Sequence, residues 1–145
     1  MRALFREYAD WTGVDLSFQG FARELAKLPG DYAPPAGVLF LCMHDEEPAG
    51  CVAVRRWQLD ACEMKRLYAR EAFRGRGYGT LLAGEAIAWA RSAGYKRMLL
   101  DTLPSMTAAQ RLYTALGFRE IPPYRFNPIA GAKFMELVLA DERAR

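Results

Sequence analysis

The stretch that most constrains this chain runs from Cys62 to Ala93. A strand-like segment, Ala61–Ala69, leads into Arg74-Gly75-Arg76-Gly77-Tyr78-Gly79-Thr80, and an apolar-striped helix follows to about Ala93. Three glycines at alternate positions between a strand and a helix let the backbone turn tightly and approach a ligand with no Cβ in the way. The first turn of the helix offers unpaired N–H groups and the positive end of the helix dipole. Arg74 and Arg76 add charge. A phosphate, and better a pyrophosphate, suits this chemistry.

Three ligand classes compete for the turn. A dinucleotide fingerprint needs GxGxxG, but Thr80 follows Gly75-x-Gly77 where the third glycine belongs, and Leu82 follows Gly77-x-Gly79. Asp101, at a strand end 22 residues past Gly79, keeps that reading open. A P-loop is excluded, because the chain has no Gly-Lys pair. Coenzyme A is the third candidate.

The elements around the turn suit one α/β domain over residues 1–145, within the size range of single domains. Leu4, Tyr8 and Trp11 predict a helix from Arg2 to Trp11, ended by Gly13. Ser17 is placed to cap a second, carrying Phe18, Phe21, Leu25 and Leu28. Val38–His44 and Cys51–Gln58 read as a hairpin across the polar turn Asp45–Gly50. After the long helix come a strand at Tyr95–Asp101 and a helix from a Ser105 cap to Leu116. Short strands at Phe118–Ile121 and Ala132–Leu139 flank the Pro-rich loop Pro122–Gly131.

Composition narrows the class. Hydrophobic residues make up 52% of the chain, which rules out a disordered polypeptide. No apolar run reaches membrane-span length, and the start has no secretory apolar core, so a cytoplasmic protein is expected. Cys42, Cys51 and Cys62 form no CxxC pair and read as buried free thiols. His44 is the sole histidine, which excludes multi-histidine zinc sites, and no metal is expected. The net charge of +3 conceals a split. Residues 1–54 hold four basic and eight acidic side chains, and the remainder holds sixteen and nine, so −4 faces +7. The basic half suits an anionic partner. The stretch 55–76 carries seven basic and three acidic residues and admits nucleic acid, though the glycines make coenzyme A phosphates the simpler anion.

Arg74-x-x-Gly77-x-Gly79 after a strand, followed by Leu112-Tyr113-x-x-x-Gly117-Phe118, resembles the GCN5-related N-acetyltransferase (GNAT) superfamily. The order of elements matches over nearly the whole chain. The resemblance implies a mixed, mostly antiparallel sheet with a central V-shaped splay, flanked by about four helices. It implies acetyl-CoA as co-substrate and an amine acceptor, and it allows for a homodimer; no membrane partner is expected from the hydropathy, and nucleic acid is the disfavoured alternative. Leu67 and Ala69 would bind the pantetheine arm through their backbone. Arg74, Gly75, Arg76, Gly77, Tyr78, Gly79 and Thr80 would hold the pyrophosphate. Tyr113 matches the general acid that protonates the leaving thiolate. Glu63 is the candidate base, against the alternative of an ion pair with Lys65 or Arg55. Tyr124 and Asn127 in the Pro-rich loop are candidate acceptor contacts, with ordinary loop packing as the alternative. A non-catalytic acyl-CoA-binding module is the competing function.

Two departures from the superfamily pattern stand out. Met106 occupies the place where many relatives have a pantetheine-binding asparagine, and helical pattern begins at Arg2 where relatives usually have a strand.

Overall fold

The computed structural model describes residues 1–139. Six strands form one sheet: β1 (Val38–His44), β2 (Glu47–Gln58), β3 (Ala61–Ala69), β4 (Arg97–Thr102), β5 (Arg119–Ile121) and β6 (Lys133–Val138). Their spatial order is β1-β2-β3-β4-β6-β5, and only β3 and β4 run parallel. Parallel neighbours need a crossover rather than a tight turn. The chain supplies it with α3 (Tyr78–Ser92), which packs Leu82, Ala83, Ala86, Ile87 and Ala90 onto the sheet.

The two faces of β2 explain the two layers. Side chains alternate across a strand, so Val52 and Val54 join the core under α3, beside Cys62, Met64, Met98 and Leu100. Cys51 and Ala53 point the other way, toward Leu4 and Phe5 of α1 (Arg2–Thr12) and Tyr32. The remaining helices are α2 (Phe21–Lys27) and α4 (Thr107–Ala115). The mixed, mostly antiparallel sheet with four α-helices is the architecture expected from the sequence. All three cysteines are free and buried, and burial pushes the Cys51 and Cys62 thiols up to about 12.

The centre of the sheet opens. β3 pairs with β4 only from Ala61 to Glu63, whereas β4 pairs with β6 along its whole length. Opposite β2, the register of β3 jumps from Ala53↔Lys65 to Cys51↔Tyr68, and Arg66 inside this bulge has φ of 61°. A bulge adds residues to one strand and bends it. Here it turns the second half of β3 away from β4 and leaves a cleft.

Several boundaries differ from the sequence expectation. Ser17 does not cap a long helix. It opens a 3-10 turn, Ser17–Gln19, and α2 starts only after Gly20, whose φ of +69° breaks the helical run. Ser105 is not a cap either, since Met106 holds the N-cap position of α4 without a side-chain capping bond. β2 begins at Glu47, four residues early, because Asp45 at φ 54° lets two residues close the hairpin. Tyr95 precedes β4 rather than joining it, and its hydroxyl donates to the Ala36 carbonyl at 2.6 Å.

Candidate active site

The glycine turn forms the wall of a groove. Gly75 and Gly77 have φ of +80° and +82°, where a Cβ is strained, and a Cβ at either would meet no atom within 4 Å. The glycines therefore face open space. Gly77 caps α3 with no side-chain bond, and the first helical hydrogen bond found there runs from the Leu81 N–H to the Gly77 carbonyl. The N–H groups of Tyr78, Gly79 and Thr80 lie in the first turn, where a helix has no partners of its own for them. With Gly77 they border a groove of about 390 Å³ that continues past Leu67 and Ala69 of β3 to Ala109 and Leu112 of α4.

The two arginines of the turn behave differently. Arg74 lines the groove, its Nε donating to the Ala69 carbonyl at 3.0 Å and its guanidinium lying 5.0 Å from the Trp11 ring centre. Arg76 turns away. Its Nη1 donates to His44 Nε2 at 3.3 Å, and its guanidinium sits above Phe73. His44 also pairs through Nδ1 with the Tyr78 hydroxyl, so the sole histidine braces the glycine turn from behind.

At the splay a smaller recess shares Trp11, Leu67 and Ala109 with this groove. Its walls include Tyr113, Met106, Lys65, Gln19 and Asp101. Tyr113 sits on α4 with its ring 5.6 Å from Phe118, and its hydroxyl has no hydrogen-bond partner among the described residues. Burial pushes this phenol well above its ordinary pKa, with Tyr8 and Asp101 adding to the rise, so it keeps its proton at neutral pH. Such a group can donate a proton and cannot act as a base there. Met106 lines the recess as well, with its sulfur 3.7 Å from the Thr102 hydroxyl.

Glu63 lies beneath a lid of donors. It is 0% exposed and accepts from Arg55 Nε at 3.0 Å, Arg125 Nη1 at 3.0 Å and the Tyr124 hydroxyl at 2.6 Å. Burial alone would raise this carboxyl, but Lys65, Arg55, the Tyr124 hydroxyl and Arg125 outweigh it and hold the pKa below the usual value. A carboxylate so stabilised is a weak proton acceptor. The geometry answers to the ion-pair alternative with Arg55. Tyr124 itself is wedged edge-on against Trp57 at 5.2 Å and Phe134 at 5.4 Å. Asn127 lines another part of the cleft, its Nδ2 donating to Asp101 Oδ2 at 3.1 Å and its Oδ1 accepting from the Ile129 N–H.

Sequence reasoning singled out neither Gln19 nor Lys65 as a site residue. Strand alternation puts Lys65 on the face of Glu63, and it lies there, with Lys65 opposite Ala53 and Glu63 opposite Arg55. The bulge puts Lys65 and Arg66 side by side on the α1–α2 face, and both donate to Gln19 Oε1, at 3.0 and 2.8 Å. Those bonds span 46 and 47 residues, which no local pattern encodes. Asp101 enters the sequence reading only through the dinucleotide alternative, and here it faces the recess.

Among the described residues no cluster of three or more His, Cys, Asp or Glu side chains is placed to hold a metal ion, and no helix is long and apolar enough to cross a membrane. The family model described as Acetyltransferase (GNAT) family matches residues 2–118. An uncharacterized N-acetyltransferase of Schizosaccharomyces pombe is 40% identical over 141 residues, covering 96% of this chain and 86% of the relative. An acetyltransferase from Streptococcus agalactiae shares the fold at a TM-score of 0.79 and 17% identity, over 95% of this chain and 91% of that one. A structure from Elizabethkingia anophelis, a GNAT family acetyltransferase with acetyl-CoA bound, superposes at a TM-score of 0.62 with 25% identity, over 72% of this chain and 77% of the other.

Proposed function

The chain belongs to the GNAT acetyltransferase family, and on that premise we propose that it transfers an acetyl group from acetyl-CoA to an acceptor amine by direct attack. The observation that carries this reading is one connected path. It begins at the free N–H groups of the α3 N-terminus, follows the open edge of β3, and ends at the Tyr113 hydroxyl. An elongated molecule with a phosphate end and a reactive end fits such a path, and acetyl-CoA supplies its acetyl group as a thioester.

The chain's own groups divide the work along that path. Backbone N–H groups of Gly77, Gly79 and Thr80, with Tyr78 between them, receive the pyrophosphate, and Arg74 at the mouth adds positive charge. Gly75 and Gly77 keep the approach clear. Leu67 and Ala69 hold the pantetheine arm through backbone groups freed where β3 leaves β4, and an N–H there meets the carbonyl oxygen as negative charge develops on it. Tyr113, protonated at neutral pH, gives its proton to the departing sulfur. The acceptor enters from the α1–α2 side, past Gln19 and Asp101, with Asn127 at the rim and Tyr124 positioning the loop. Met106 contributes an apolar wall and no amide contact.

A panel of small amines, amino acids and peptides with acetyl-CoA, followed by thiol release, tests the proposal. Acceptor-dependent thiol release that yields the N-acetyl product supports it. Tight coenzyme A binding with no thiol release beyond hydrolysis for any amine returns the chain to a binding module.

A further inference from the structure

An amine at neutral pH is mostly an ammonium ion and has no lone pair for attack, so a proton must go to some group in the cleft. Glu63 is closed off by Arg55, Arg125 and Tyr124 and lines none of the walls of the recess described above. His44 is on the far side of the glycine turn with Tyr78 and Arg76. Tyr113 holds its proton. Lys65 remains. Lys65 is 6% exposed, lines the recess with Leu67 and Tyr113, and its Nζ donates to a neutral amide oxygen, Gln19 Oε1, with no carboxylate of the described residues in ion-pair contact. An ammonium group has three N–H donors, and the only hydrogen bond it makes among the described residues occupies one of them.

We propose that Lys65 is the proton acceptor for the attacking amine, an assignment that rests on the acetyltransferase reading above. Its neutral Nζ takes one proton from the acceptor ammonium. The freed lone pair forms the C–N bond at the thioester carbonyl carbon, and the C–S bond breaks. Tyr113 gives its proton to the departing sulfur, and the second nitrogen proton, lost as the amide forms, restores the Tyr113 hydroxyl. Lys65 returns its proton to solvent through the cleft, so one proton is released per turnover.

The surroundings favour a neutral lysine. Burial lowers its pKa first; Glu63 on β3 resists, Arg66 on β3 and Arg55 on β2 lower it further, and Asp101 on β4 opposes them. Tyr8 of α1 and Tyr113 of α4 face it as uncharged phenols, and Gln19 as an uncharged amide. Its pKa is brought down to about 7, where a base is half available at neutral pH.

Two readouts test the assignment. The chain has four lysines, so ¹³C-lysine labelling of the full chain gives few signals, and the Lys65→Met variant identifies the one from Lys65. The Lys65 side chain should titrate near pH 7; a Lys65 signal that titrates near 10 overturns the proposal. This measurement needs no acceptor, so it stands even if the amine panel fails. With an acceptor from that panel, kcat should fall about 10²-fold or more in Lys65→Met and in Lys65→Arg, and the acid limb near pH 7 should disappear. Arginine keeps a donor for Gln19 but cannot give up its proton. If Lys65→Arg keeps kcat and the limb, Lys65 is only a structural donor. If Asp101→Asn removes the limb while Lys65→Met retains it, the carboxylate is the base and Lys65 is not. Circular dichroism of each variant confirms that folded protein is being compared.

Discussion

At the scale of single residues, the two side chains that sequence reasoning paired as acid and base have opposite environments. Tyr113 is buried with its hydroxyl free for a ligand, and Glu63 is buried with its oxygens taken. Substituting Tyr113→Phe removes the proton donor and leaves the groove walls intact. We expect kcat to drop about 10²–10⁴-fold with coenzyme A affinity unchanged, read by thiol release and calorimetry. Glu63→Gln strands Arg55 and Arg125 without their buried partner, and loss of one member of such a pair costs about 3–5 kcal/mol, to be measured by urea unfolding. The Glu63 carboxyl lies below its unfolded pKa, so its stabilisation is present above that value and is lost as pH falls through the folded one. The deficit of Glu63→Gln should therefore shrink in acid.

Among elements, the glycine turn and the β3 bulge do different jobs. The turn was legible because its signal is local: glycines at positive φ next to a helix start are written in a few consecutive residues. Replacing Gly77 with alanine places a methyl group in open groove at φ +82°, where an L-residue costs about 1–2 kcal/mol. We expect coenzyme A affinity to fall more than tenfold, by calorimetry, with a small loss of stability by denaturant unfolding. The bulge was not legible. Strand alternation put Glu63, Lys65 and Leu67 on one face. The one extra residue at Arg66 leaves Lys65 on the α1–α2 face with Glu63, adds Arg66 to that face, and turns Leu67 toward the α3 core.

For the whole molecule, the charge split takes on a different meaning. By charge alone, the −4 of the first segment suits a cationic acceptor. In the fold three of its carboxylates are matched to arginines of the basic half: Glu7 with Arg70 at 2.7 Å, Glu24 with Arg66 at 2.8 Å, and Asp31 with Arg55 at 3.7 Å. These contacts tie the N-terminal helices and their loop to the strands behind the site. Lys65 is left buried with no ion-pair carboxylate among the described residues. Its folded pKa, about 7, is below the unfolded value near 10.4, so the unfolded chain binds more protons between these limits. Stability from this group therefore rises with pH across that window and is at its minimum below pH 7. Lys65→Met lacks the effect. Its stability advantage over the parent should be largest near pH 7 and should shrink by roughly a kcal/mol per pH unit toward pH 10, as followed by denaturant unfolding.

The sequence by itself determined the class of fold and marked the glycine turn as a candidate anion site, and the resemblance carried by its motifs named Tyr113 as the candidate acid. Each is encoded in neighbouring residues: alternation for strands, an apolar stripe for helices, glycine spacing for the turn. The tertiary structure decided which charged groups are spent and which are free. Glu63 is consumed by Arg55, Tyr124 and Arg125, the last two from a loop about 60 residues away, and Lys65 is left with Gln19. Proton affinity depends on burial and on every charge within a few ångströms, and only folding brings those charges together.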